Sequence, residues 1–150
     1  MMPLVVLLLV FSLSLLLIKL SRKAYDFAFA GRIAMSAMLV FTAVGHFAFT
    51  EGMAMMLPTF VPYKTEVVYL TGLIEIAAAV GLIIPRLRSL TAWLLIAFFI
   101  LVLPANIYAA LQHVDYQNAT FDGQGPGYLW FRIPLQLFFI IWVYFAAIRE

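Results

Sequence analysis

The sequence predicts an all-α protein, a polytopic bundle of helices that cross a membrane. Of the 150 residues, 66% are hydrophobic and only 11% are charged, whereas soluble domains have ~25% charged residues. A soluble domain of this size could not bury so much apolar surface. The chain shows no repeated alternation of apolar and polar residues typical of strands. Because lipid offers no hydrogen bonds to the backbone, the membrane segments are predicted to be helices.

Five apolar segments are each long enough to cross the hydrocarbon core, which takes ~20 helical residues. The predicted spans are Met2–Leu20, Phe29–Phe49, Glu66–Ile84, Ser89–Gln112 and Leu129–Ile148. Short loops join them, and the chain has no internal repeat. We therefore expect an N-terminal anchor helix in residues 1–24 and one membrane domain in residues 25–150.

The first span is expected to be an uncleaved anchor rather than a signal peptide. No positive residue precedes it, and no small-x-small cleavage motif follows Leu20. Positive residues follow this span instead, and cytoplasmic loops are rich in Lys and Arg. With the N-terminus outside and the C-terminus inside, seven of the nine basic residues fall on the cytoplasmic side: Lys19, Arg22, Lys23, Arg32, Arg86, Arg88 and Arg149.

Several functional classes find no support in the composition. The chain has no cysteine, which excludes disulfides, thiolate metal sites and dithiol redox chemistry of its own. A net charge of +2 gives no indication of a nucleic-acid partner. The two histidines lack both a metal-binding spacing and a third ligand, so a metal or haem site is not predicted.

Glu75 is the most informative residue, because it is the single charge between Val67 and Pro85. A charged side chain near the centre of a bilayer costs ~3 kcal/mol or more unless it faces protein or water and finds a partner. Thr71, Gly72 and Ala79 fall on its helical face, and small residues allow membrane helices to approach closely. Glu75 is therefore expected to face the interior of the bundle.

Four other polar residues share the outer half of the predicted bundle with Glu75. At 1.5 Å of rise per residue, all of them lie within ~13 Å of the outer ends of their spans. They are His46 in the second span, Asn106 in the fourth, and Arg132 and Gln136 in the fifth. Arg132 and Gln136 are four residues apart and so share a helical face. Pro104 and Pro134 each remove a backbone donor nearby, which frees carbonyls in the same layer.

This polar layer has two interpretations. It can be a site that binds a ligand or handles protons, with Glu75, His46, Asn106, Arg132 and Gln136 as ligand-binding residues and no catalytic residue assigned. It can instead be a structural lock that fixes the packing of the helices. Under both, Arg132 is the expected ion-pair partner of Glu75, because it is the only arginine or lysine within the outer half of a span.

The order of short motifs resembles that of a known family. These motifs are Gly45-His46-Phe47, Leu57-Pro58, Val61-Pro62, Tyr69–Glu75, Gly81-Leu82, Pro104–Tyr108 and Arg132–Gln136. Together, from about Phe29 to the end of the chain, they resemble the DoxX-like membrane proteins. The resemblance implies a four-helix membrane core, to which the first span is an addition, and its polar motif positions correspond to His46, Glu75, Asn106, Arg132 and Gln136.

The resemblance also implies two classes of function. DoxX-like proteins are similar to small subunits or partners of membrane redox enzymes, so this chain is expected to bind a quinone or another small ligand within a redox complex of the bacterial inner membrane. The alternative is a non-catalytic scaffold or assembly factor, whose lipid-facing surface recruits a partner or a second copy. Membrane lipids are partners under both interpretations, and whether the protein is an enzyme stays open.

The distribution of basic residues yields a first testable prediction. A reporter that is active only in the cytoplasm should be active when fused to the C-terminus, because seven of the nine basic residues then lie inside. The same reporter fused to the N-terminus serves as the control and should be silent. An active N-terminal and a silent C-terminal fusion, both with confirmed expression, would reverse the orientation.

Overall fold

A computed structural model describes residues 2–123 and 125–149, and it confirms the predicted all-α fold with five helices long and apolar enough to cross a membrane. The helices are α1 (Met2–Arg22), α2 (Phe27–Ala48), α3 (Thr50–Met55), α4 (Lys64–Ile83), α5 (Arg88–Leu111) and α6 (Leu129–Val143). A 3₁₀ turn (Pro126–Tyr128) leads into α6, and a π-helical segment (Tyr144–Ile148) continues it. All but the short α3 are long and apolar enough to cross a membrane, α6 together with its two flanking segments.

The helix bounds differ from the sequence prediction in places that have a local cause. Helix α2 begins two residues earlier because the Asp26 carboxylate accepts a hydrogen bond from the Phe29 N–H, which caps the helix. The short α3 was not predicted, since its residues were assigned to a loop. It begins directly after α2, and its N-terminal Thr50 hydroxyl donates to the His46 carbonyl at 2.7 Å. The chain thus folds back over the end of α2.

The interface between α2 and α4 is the most extensive helix contact in the described structure. Small residues allow it: a side chain at Gly72 would contact the His46 Cβ and the Phe47 ring. About two turns further along α4, the Ser36 hydroxyl donates to the Ala79 carbonyl across the interface at 2.8 Å. Close packing and interhelical hydrogen bonds are what hold helices together where lipid removes the hydrophobic driving force.

Helix α1 lies at the periphery, as the sequence predicted. Its buried residues are Leu7, Ser14 and Ile18, and most of its other side chains are exposed on the lipid-facing side. It packs mainly on α2. The Phe11 ring also meets the Trp142 ring of α6 edge-on, with centroids 4.9 Å apart. The side-chain partners of Glu75 in the described structure, Thr42 and His46, lie on α2 and not on α1.

The inner ends of α2 and α6 are joined by polar contacts to backbone carbonyls. The Arg32 guanidinium donates to the Ala146 carbonyl at 2.9 Å, and the Trp142 indole N–H donates to the Gly31 carbonyl at 3.0 Å. Ala146 lies in the last turn of its helix, where carbonyls lack helical N–H partners. The buried Arg32 therefore satisfies a helix end inside the apolar bundle.

A compact loop covers the outer ends of α3 and α5. Asp115 and Thr120 exchange two backbone hydrogen bonds, which close a tight turn between them. The Tyr116 backbone packs against Gly52 so closely that a side chain at position 52 would overlap its carbonyl. Hydrogen bonds from Asn118 hold the pKa of the exposed Asp115 carboxyl below its ordinary value. The loop is thus ordered by its own contacts and rests on α3.

The position of α1 yields a second prediction. Leu7→Ala should lower the free energy of unfolding in detergent by about 1–2 kcal/mol, because it leaves a cavity in a packed site. Leu9, which is 59% exposed, offers the matched control, and Leu9→Ala should leave stability unchanged. Equal effects of the two substitutions, measured by denaturant unfolding, would contradict the peripheral placement of α1.

Candidate functional site

Glu75 and His46 form the centre of the polar layer. The Glu75 side chain is only 7% exposed and reaches from α4 toward α2. Its Oε2 atom lies 3.3 Å from His46 Nε2 and 3.1 Å from the Thr42 hydroxyl. Thr42 and His46 are four residues apart on α2, so they share one face of that helix. The carboxylate is therefore held between two side chains of a single neighbouring helix.

The other nitrogen of the His46 ring fixes its tautomer. His46 Nδ1 lies 3.1 Å from the Val68 carbonyl and 3.0 Å from the Thr71 hydroxyl. The carbonyl can only accept, and the Thr71 hydroxyl donates its own hydrogen to that same carbonyl at 2.8 Å. Both atoms that face Nδ1 are thus acceptors, which assigns a hydrogen to Nδ1.

This assignment limits how His46 and Glu75 can interact. With a hydrogen on Nδ1, a neutral His46 presents the lone pair of Nε2 to the Glu75 carboxyl group, 3.3 Å away. A proton on either group would turn this contact into a charge-assisted or neutral hydrogen bond. The contact is therefore one that a proton can bridge.

The predicted ion pair between Glu75 and Arg132 is wrong. Within the described residues Arg132 forms no ion pair and no hydrogen bond. His46, rather than Arg132, contacts the Glu75 carboxylate because α4 extends outward past the end of α2. The end of α2 thus lies level with Gly72 of α4, and His46 is close enough to reach Glu75.

Asn106 and Gln136 are buried as predicted, but their roles differ. Gln136, which is 3% exposed, donates from Nε2 to the Phe99 carbonyl of α5 at 2.8 Å. Gln136 therefore links α6 to α5, in the part of α5 that contains Pro104. Asn106 is 9% exposed, and its Nδ2 atom has no hydrogen-bond partner among the described residues.

The two most pronounced concavities of the described surface lie away from this site. One, of about 270 Å³, lies between the inner parts of α1, α2 and α6 and is lined by Phe11, Gly31 and Trp142 among others. The second, of about 390 Å³, lies between α1 and the outer part of α6, beside Trp130 and Pro134. Both are apolar and open, and neither is lined by Glu75 or His46.

The structure therefore brings together two of the five predicted site residues in direct contact, His46 and Glu75. No hydrogen bond or ion pair joins Arg132, Asn106 or Gln136 to that pair in the described residues. Sequence reasoning missed Thr42. Its position four residues before His46 was the available signal, because such a spacing places both side chains on one helical face.

The comparisons with known proteins identify a family. A family described as a domain of unknown function (DUF8561) matches residues 35–147. The chain belongs to this family. The match covers α4, α5 and α6 and most of α2, and all of it lies within the predicted domain of residues 25–150. No curated protein and no solved structure matches the chain significantly.

The close approach at Gly72 yields a third prediction. A Cβ at this position would lie 3.0 Å from the His46 Cβ and 3.3 Å from the Phe47 ring. Gly72→Ala should therefore push α2 from α4 and lower the free energy of unfolding by about 1–3 kcal/mol. Gly127→Ala is the control, because nothing lies within 4 Å of a Cβ there. Thermal unfolding in detergent checks both, and an unaffected Gly72→Ala would contradict the proposed packing.

Proposed function

We propose that this DUF8561 protein is a membrane subunit that binds a quinone, or a similar small lipid-soluble ligand, for a redox system. The observation that supports this is the contact between the buried Glu75 carboxyl group and His46 Nε2, which a proton can bridge. Ionisable residues inside membrane segments are costly, and they commonly serve proton relays or ligand sites. A quinone gains or loses protons whenever it is reduced or oxidised, and it dissolves in the same hydrocarbon layer.

The chemistry assigned to this chain is proton transfer. Oxidation of a quinol to a quinone breaks two O–H bonds and releases two protons and two electrons. One proton passes to the Glu75–His46 pair and the other to water, while both electrons pass to a redox centre of a partner enzyme. We assign the electron step to a partner because the sequence has no cysteine, and no group of three possible metal ligands occurs in the described part of the chain. The Arg132 and Asn106 donors lie on the same outer half of the bundle.

The relation to DoxX-like proteins is part of this proposal. It is supported by the four helices α2, α4, α5 and α6, with α1 added at the periphery, and by the burial of Glu75, Asn106 and Gln136. The positive-inside distribution supports a bacterial inner-membrane protein with its N-terminus outside. In that orientation, the Glu75–His46 pair lies in the outer half of the bundle.

A structural scaffold is the second candidate, and one observation favours it. Both ring nitrogens of His46 and the Glu75 carboxylate are satisfied by residues of α2 and α4 alone. A pair that is complete without a ligand can serve to fix the packing of the two helices. Under this proposal, the exposed apolar surface binds a partner membrane protein.

Quinone retention provides the fourth prediction. The protein purified in mild detergent should retain about one quinone per chain, measured by mass spectrometry of the extracted small molecules, and bind an added short-chain quinone. Glu75→Gln should weaken binding about ten-fold or more, because the amide cannot exchange the proton. Ser36→Ala removes a hydrogen bond of the same α2–α4 interface away from the site, and it should retain the quinone.

The same variants distinguish the two candidates. If the pair is a scaffold, both Glu75→Gln and Ser36→Ala lower the unfolding temperature, and neither they nor the native protein binds quinone. Absence of quinone from the native protein, together with no binding of the added analogue at saturating concentration, would overturn the quinone proposal.

A further inference from the structure

Two donors at the outer end of the core have no acceptor. Asn106 is 9% exposed, and its Nδ2 group makes no hydrogen bond in the described structure. Buried polar groups are almost always hydrogen-bonded, and an unsatisfied one costs ~1–3 kcal/mol. Its side chain lies on the face of α5 that also carries the buried Phe99 and Ala109, so it is directed into the bundle.

Arg132 is the second donor. It is only partly exposed and lies on the same face of α6 as the buried Gln136, Phe139 and Val143. Residues 2–123 and 125–149 provide it with no hydrogen bond and no ion pair. Its five N–H donors thus face the interior of the outer end without a fixed acceptor.

The register between α5 and α6 places Asn106 and Arg132 at the same depth along the axis of the bundle. Gln136 donates to the Phe99 carbonyl, and the Phe99 and Phe139 rings have centroids 6.0 Å apart, so Phe99 lies level with residues 136–139. Asn106 lies seven residues further outward on α5. Because the two helices are antiparallel, it lies level with residues 129–132, which include Arg132.

No carboxylate of the described residues neutralises the Arg132 guanidinium at close range. None lies within ion-pairing distance of it. The buried Glu75 carboxylate contacts His46 and Thr42 instead. A buried cation is stabilised by an anion at short distance. The natural occupant of this level is therefore an anionic oxygen group.

We propose that Arg132 and Asn106 form a binding site for an oxyanion, a phosphate or a carboxylate, at the outer end of the core. The Arg132 fork suits such groups because it donates two parallel hydrogen bonds to them. Asn106 Nδ2 adds a third donor from the facing helix. The group is the head group of an anionic lipid or a free phosphate, and the two share this chemistry. The site is independent of the quinone proposal.

A simpler reading of Arg132 is that it reaches outward to the phosphates of bulk lipid, as long basic side chains near helix ends do. That interpretation does not explain Asn106, because its short, buried side chain cannot reach the lipid phosphates. It also predicts no dependence of lipid binding on Asn106. The two readings therefore differ in the effect of a substitution at position 106.

Native mass spectrometry of the full chain in a neutral detergent tests the site. The probes are phosphatidylglycerol, phosphatidylcholine as the neutral lipid, and inorganic phosphate. We expect one phosphatidylglycerol or one phosphate bound per chain, and no bound phosphatidylcholine. Preference for the lipid over free phosphate identifies the source of the anion. Arg132→Gln and Asn106→Leu should each weaken binding about ten-fold or more, as loss of a hydrogen bond to a charged group does.

Lys64→Gln is the matched control, because it removes a cation from the same end of the bundle and should leave binding unchanged. Arg132→Lys keeps the charge and should restore part of the binding if the Gln variant fails to fold. Glu75→Gln should retain the anion, which separates this site from the quinone site. Binding that is unaffected by Asn106→Leu in a folded protein, or reduced equally by Lys64→Gln, would overturn the proposal, as would no bound anion at all.

Discussion

A carboxylic acid inside an apolar helix is stable only beside a group that shares its proton or its charge, and the rest of the core is arranged around that requirement. Glu75 finds this group in His46, one helix away. The contact needs α2 and α4 to lie close together, which the absence of a side chain at Gly72 allows. It also needs the imidazole to be held in one orientation, which the Val68 carbonyl and the Thr71 hydroxyl provide. The most extensive helix interface of the protein is thus also the interface that holds its buried carboxyl group.

The pairing of Glu75 with His46 determines what the neighbouring polar residues do. Had Glu75 paired with Arg132, the layer would have contained one closed ion pair and little capacity to bind a ligand. Instead the described structure contains a Glu75–His46 pair and, nearer the helix ends, a guanidinium and an amide that lack acceptors. Gln136 is used differently, because it donates to the Phe99 carbonyl and so links α6 to α5. The polar layer thus contains both the Glu75–His46 pair and a separate group of donors.

The surroundings of this core are suited to lipid. Helix α1 buries few residues, and large apolar side chains cover the outside of every long helix. At the inner end, Arg32 and Trp142 satisfy backbone carbonyls and fix the approach of α2 to α6. At the outer end, α3 and the turn closed by Asp115 and Thr120 lie over the bundle. The two ends are therefore held by polar contacts, while large apolar side chains such as Leu39, Leu95 and Phe139 fill the core between them.

The sequence by itself determined the all-helical class of the protein, its five long apolar helices, and the burial of Glu75, Asn106 and Gln136. Each of these follows from composition, span length and helical periodicity, which are local properties. The partner of Glu75 was decided by the tertiary structure alone. Formal charge favoured Arg132 as the partner. His46 is the partner instead because the close contact at Gly72 sets α2 and α4 at relative heights that bring His46 beside Glu75. The sequence does not reveal how far α4 extends past Ala48, so it does not reveal these heights. The unsatisfied Asn106 amide was equally beyond prediction, because the register between α5 and α6 arises only when both helices pack. Thr42 could have been predicted from the sequence, since a spacing of four residues places it beside His46 on one helical face.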